Sequence, residues 1–128
     1  MIKKAIAAPP LKALGPYSLA TETNGLVFVS GQIPVDPATG KMVEGDIGVV
    51  TRQVFENLKV ILAAAGLGFQ HVIKATVFLV DLGDFAGMND VYKTYMPEPF
   101  PARSTIQVAA LPLGARVEIE LVADREAA

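Results

Sequence analysis

The chemistry available to this chain is concentrated in its C-terminal third, in the guanidinium of Arg103 and the carboxylates of Glu118 and Glu120. Arg103 lies in the stretch EPFPARST, shortly after Pro99 and Pro101. Each proline fixes its own φ and drives the preceding residue toward extended conformations, so the arginine starts from a stiff base. A guanidinium is planar, permanently charged and matches a carboxylate or phosphate through two parallel hydrogen bonds. Holding it still in advance lowers the entropy lost when a ligand binds. The residues alone leave two uses open: a fork that grips a ligand, or an ion pair with an internal acid such as Glu118 or Glu120.

Strand parity indicates which groups can meet. In RSTIQVA, Arg103, Thr105 and Gln107 share one face, with Ser104, Ile106 and Val108 on the other; in ARVEIELVA, Arg116, Glu118 and Glu120 oppose Val117, Ile119 and Leu121. If the apolar sets face helices, the polar sets lie together on the uncovered face, and Arg103 and the glutamates line one pocket at a subunit contact. Arg116 and Glu120 read as a solvated or interface pair. The single histidine, His71, opens a strand after GLGFQ and is expected at the surface rather than as a base. Asp81, Asp84 and Asp90 lack the spacing of a calcium loop and have no His or Cys beside them, so no metal is expected. GLG at 66–68 lacks a third glycine and follows a helix, which makes it a helix stop rather than a dinucleotide loop.

The elements that must carry these groups follow from periodicity. YSLATETNGLVFVSG reads as two strands around Asn24-Gly25, a pair suited to a type I′ hairpin turn. QIPVDPATGKMVEGD is a turn-rich loop ending at Asp46, a helix cap. Ile47, Val50, Val54, Leu58, Ile61, Leu62 and Ala65 recur at helical spacing, with Gly66 at the position of a left-handed stop. HVIKATVFLV is a strand whose Ile73, Ala75, Val77 and Leu79 face is assigned to the core. Phe85, Met88, Val91, Tyr92 and Tyr95 mark a second helix, stopped by Pro97, before the last two strands. The order β-β-α-β-α-β-β predicts an α+β fold, one domain over 1–128, with two helices covering one face of a mixed sheet. The other face carries Phe28 and Phe78 beside Ser30 and Thr76, too apolar for water, which points to a homo-oligomer.

Composition narrows the function classes. The chain has 128 residues, 52% apolar and 19% charged, with a net charge of -2, enough for a real core and no basic field for a phosphate backbone. No nucleic acid is expected as a partner. Charges or Gly/Pro interrupt every apolar run well short of the roughly 18 residues that a membrane helix needs, so no membrane partner is expected either. Cysteine is absent, which removes thiolate nucleophiles and sulfur metal sites and suits a reducing cytoplasm.

The motifs GPYS, SGQIPVDPATG, KATVFLVDLGDF, MNDVY, FPARST and VEIE, met in this order over nearly the whole chain, resemble the Rid (YjgF-type) family of reactive-intermediate deaminases. The resemblance implies a chorismate-mutase-like fold and a homotrimer with active sites in the clefts between subunits. It also implies hydrolysis of 2-imino acids such as 2-iminobutanoate and 2-iminopropanoate, or their enamine tautomers, to 2-keto acids and ammonia; no cofactor is expected. Position by position, it assigns catalysis to Arg103, which holds the substrate carboxylate, and to Glu118, which orients or activates water. It assigns binding to Tyr17, Ser30, Gly31, Asn89 and Thr105. Thr105 stands where many members carry cysteine; the contribution expected there comes from backbone groups, which threonine keeps. Burial should raise the Glu118 pKa and a nearby guanidinium should lower it. Two alternatives accompany the family: a non-catalytic carboxylate-binding or chaperone-like trimer, and endoribonuclease action, against which stand the missing basic stripe and the single histidine.

Overall fold

The computed structural model describes residues 2–127. The chain forms β1 (Lys4–Ile6), β2 (Ala20–Thr23), β3 (Leu26–Gln32), β4 (Val35–Asp36), β5 (Lys41–Met42), α1 (Ile47–Ala64), β6 (Val72–Leu79), α2 (Phe85–Tyr95), β7 (Ala102–Gln107) and β8 (Val117–Asp124). Asn24 and Gly25 adopt φ of 52° and 80°, the left-handed pair that a type I′ turn requires, and they close the β2–β3 hairpin. The Asp46 carboxylate accepts the Val49 N–H at 3.0 Å, capping α1, and Gly66 at φ 76° turns the chain out of it. Val50, Val54, Leu58, Ile61 and Leu62 form the buried stripe of α1.

The main sheet has six strands in the order β1-β2-β3-β8-β6-β7. It is mixed: β6 and β7 are parallel because α2 forms the crossover between them, and every other pair is antiparallel. Both helices pack on one face, over Val27, Val29, Ala75, Val77, Leu79, Val117, Ile119 and Leu121. This is the expected α+β architecture, with two additions. β1 extends the sheet edge, and β4–β5 forms a small hairpin inside the turn-rich loop. Both are two- or three-residue pieces, too short to show a period.

The sheet corrects two facial assignments. Ile73 was placed on the core face but is 40% exposed, while Val72 is buried. A register shift between Val72 and Lys74 in the β6–β8 pairing reverses the alternation at that point. The second correction concerns β7. Arg103, Thr105 and Gln107 pair with Ala75, Val77 and Leu79, all three buried under the helices, so the polar set lies on the helix face. Ser104 and Ile106 lie instead on the open face, where Ile106 is 45% exposed. The apolar-inward rule fails because β7 is an edge strand under the rim of α2, where Asn89 and the rings of Phe85 and Tyr92 receive the arginine.

Candidate active site

Arg103 lies beside α2. Its Nη1 donates to Asn89 Oδ1 at 2.6 Å, and its guanidinium carbon lies 4.6 Å from the Tyr92 ring centroid and 5.5 Å from that of Phe85. No carboxylate of the described residues pairs with it; the ion pairs are Lys93–Asp90, Arg116–Asp84 and Arg125–Glu22. Asn89, Tyr92, Phe100, Pro101 and Arg103 line a cleft of about 500 Å³. Thr105 follows on the same strand face, and its Oγ1 is buried with no hydrogen-bond partner among the described residues.

Glu118 lies elsewhere. It pairs with Phe78 across β8–β6 and faces the open side of the sheet, because its neighbours Val117 and Ile119 are buried under the helices. Between Val29 and Gln32 the β3–β8 register shifts, and Gly31, inside this irregularity, lies against the glutamate. A Cβ at Gly31 would overlap the Glu118 carboxylate, so any larger residue there would push that carboxylate out of its present position. Tyr17, Gly31, Gln32 and Glu118 line a second cleft of about 580 Å³, closed on its outer side by the β4–β5 hairpin tip at Pro37–Gly40. Tyr17 is half exposed and its Oη accepts the Leu14 N–H at 3.2 Å. Burial, and after it the charge of Glu120, holds the Glu118 carboxyl above its ordinary range.

The structure therefore brings Arg103 and Asn89 together in one cleft, and Tyr17, Gly31 and Glu118 in another. Ser30 joins neither; its hydroxyl donates to the Ser18 carbonyl at 2.7 Å, and it lines a smaller groove with Glu120 and Phe28. The expectation that Arg103 and the glutamates share the uncovered face of one chain is overturned, because Arg103 lies on the helix face and Glu118 on the open one. Arg116 is not paired with Glu120. It forms a fork to Asp84, at 3.0 and 3.1 Å, and donates to the Gly45 carbonyl at 3.1 Å, tying the start of α2 to the loop before α1. Sequence reasoning missed Phe85 and Tyr92 as partners of Arg103. Their spacing with Asn89, four and then three residues apart, is a helix-face signal that could have found them.

Comparison with known proteins identifies the family. The family described as Endoribonuclease L-PSP matches residues 6–125. The chain is 52% identical over 126 residues to protein DfrA of Myxococcus xanthus, covering 96% of each. It is 47% identical over 124 residues to the 2-iminobutanoate/2-iminopropanoate deaminase of Bos taurus, covering 96% of this chain and 90% of that one. The crystal structure of E. coli TdcF with bound serine superposes with a TM-score of 0.88 at 42% identity, covering 96% of this chain and 99% of that one. The chain thus belongs to the Endoribonuclease L-PSP family, the Rid or YjgF-type family whose motifs run from Gly15 to Glu120.

Proposed function

We propose that this protein is a 2-imino acid deaminase, acting as a homotrimer in which Arg103 of one copy and Glu118 of another face the same substrate. The observation that carries this reading is an arginine held by Asn89 with no acid paired to it among the described residues, on the opposite sheet face from a glutamate with no cation paired to it among them. Each is an unfinished half of a site. The uncovered face, with Phe28 and Ile106 each 45% exposed, supplies the apolar surface for assembly. The bovine relative's name and the serine bound in E. coli TdcF supply the substrate class, a small molecule carrying a carboxylate beside nitrogen-bearing carbon. Small apolar side chains fit best, because Arg116 is already engaged by Asp84.

The chemistry asks little of the protein. Arg103 grips the substrate carboxylate and sets C2 against a water held by Glu118. That orientation turns a bimolecular attack into a nearly unimolecular one. Glu118 takes a proton from the attacking water as its oxygen bonds to C2 and the C=N π pair moves to nitrogen, and it returns that proton to nitrogen to give the carbinolamine; it then carries the hydroxyl proton to the same nitrogen as the C=O bond forms and the C–N bond breaks. The products are a 2-keto acid and ammonia. No covalent intermediate with the protein forms. Tyr17, Gly31, Asn89 and Thr105 shape the pocket, while Ser30 orders the strand irregularity beside it.

The test is keto acid release from imines generated by a threonine dehydratase, with the native chain and with Arg103→Ala. Release should be accelerated by the native chain and not by the variant. Equal release in both would leave the carboxylate-binding, non-catalytic reading in its place. Light scattering should give a trimer mass, and a stable monomer would remove the shared site.

A further inference from the structure

The immobilisation of Arg103 has an uncommon chemistry. An arginine is usually fixed by a carboxylate, which also neutralises it and occupies its donors. Here α2 supplies three partners from one face: the amide of Asn89 and the rings of Phe85 and Tyr92. A ring face attracts a cation through its quadrupole and consumes no N–H group. Asn89 accepts one of the five N–H donors, so the remaining fork keeps its charge and its hydrogen-bonding capacity.

Tyr92 does not serve through its hydroxyl. Its Oη is buried and has no hydrogen-bond partner among the described residues, an arrangement that costs free energy in the interior. The Arg103 guanidinium lies close enough to pull the pKa of that hydroxyl down, without the geometry of a hydrogen bond, but burial outweighs it and holds the pKa above its ordinary value, so the hydroxyl stays neutral and offers no counter-ion to Arg103. What is held in place is the ring. It packs edge-on against Phe55 at 5.7 Å, and Phe55 in turn stacks on Tyr95 at 4.8 Å, so the Tyr92 plate cannot swing aside without opening the aromatic cluster.

We propose that Tyr92, assisted by Phe85, is a positioning residue whose ring face holds the Arg103 guanidinium in the orientation that receives the substrate carboxylate, with no part played by its hydroxyl. The inference rests on the deaminase reading for its consequence in turnover, but the clamp itself is a property of the free protein. It is therefore tested twice in the full chain: by NMR measurement of guanidinium rotation in Arg103 without ligand, and by KM and kcat for imine hydrolysis. Tyr92→Phe keeps the ring and should match the native protein in both. Tyr92→Leu should speed rotation and raise KM by about tenfold, with kcat changed much less, because the carboxylate contact is shared by ground and transition states. Val27→Ala, at a fully buried core position on β3 outside the aromatic cluster, is the packing control: it should lower the melting temperature and leave Arg103 unchanged. If Tyr92→Leu does not fold, Phe85→Leu, at a more exposed ring, should show the same rotation effect at smaller size. Native rotation and KM in a folded Tyr92→Leu would overturn the proposal, as would a Tyr92→Phe variant as impaired as Tyr92→Leu. A native chain that releases no keto acid would defeat the deaminase reading alone, while the rotation rates would still decide the clamp.

Discussion

The two clefts are built by opposite strategies. Around Arg103 a helix face supplies a hydrogen bond and two aromatic rings, and the group is held before any ligand arrives. Around Glu118 the chain supplies space: a strand irregularity, a glycine where a side chain would collide, and, among the described residues, no paired cation. A permanently charged fork can be oriented by neutral groups at little cost, whereas a carboxylate that must exchange protons needs an environment that leaves its charge incompletely compensated. On the proposed scheme the half that would bind the carboxylate is held in advance, and the half that would transfer protons is left open for what a second copy and the substrate would bring.

The largest expected effect comes from separating the two halves genetically. Arg103→Ala and Glu118→Gln should each lower the rate of imine hydrolysis by roughly 10²–10⁴-fold, the usual scale for losing an orienting or acid–base group. If the halves meet across subunits, unfolding and refolding the two inactive variants together should restore part of the activity, because some clefts in mixed trimers then combine native Arg103 with native Glu118. Refolded mixtures as inactive as the separate variants would place both halves of the site in one chain and defeat the shared-cleft scheme.

The two faces of the sheet should also differ in what mutation does to them. Ile119 is fully buried beneath the helices, and Ile119→Ala should cost about 2–5 kcal/mol of folding stability, read from denaturant unfolding. Phe28 on the open face is 45% exposed in the isolated chain, so Phe28→Asp should act mainly on assembly. Its signature is a fall in mass by light scattering with near-native unfolding of the monomer. An unchanged trimer mass would mean that this face is not the contact.

The same contrast explains what could be read from the sequence. The helices and the Asn24-Gly25 hairpin were legible because each repeats one local rule several times, through the Val50–Leu62 stripe or through paired left-handed turn residues. Parity placed Glu118 and Glu120 correctly because β8 is a central strand with buried residues on alternate positions. It failed for Arg103 because β7 is an edge strand with one neighbour, and the rim of α2 presents Asn89 and Tyr92 to it instead of a continuous apolar surface. It failed for Ile73 because a one-residue irregularity reverses every facial assignment before it. Gly31 was found only through the resemblance, since nothing local in SGQIP says that Glu118 will lie above it.

The smallest effect is the most direct probe of how the two clefts meet. In the isolated chain Glu118 is held above its ordinary value of 4.5, first by burial and then by the charge of Glu120. A carboxyl whose folded pKa is raised binds its proton more tightly when folded, so the contribution of Glu118 to stability is greatest below about 4.5 and declines as pH rises through the folded value. Glu118→Gln should remove this decline and be slightly more stable than the native protein at neutral pH. Assembly adds a second influence, because the Arg103 guanidinium of another copy would favour the ionised form and draw the pKa back down. A carbon-13 titration of the Glu118 carboxyl in the trimer should therefore give a higher value in Arg103→Ala than in the native protein, by a margin that shrinks with added salt. Identical titrations in the two would mean that the guanidinium and the carboxylate are too far apart to act on one substrate, whatever the mass of the assembly.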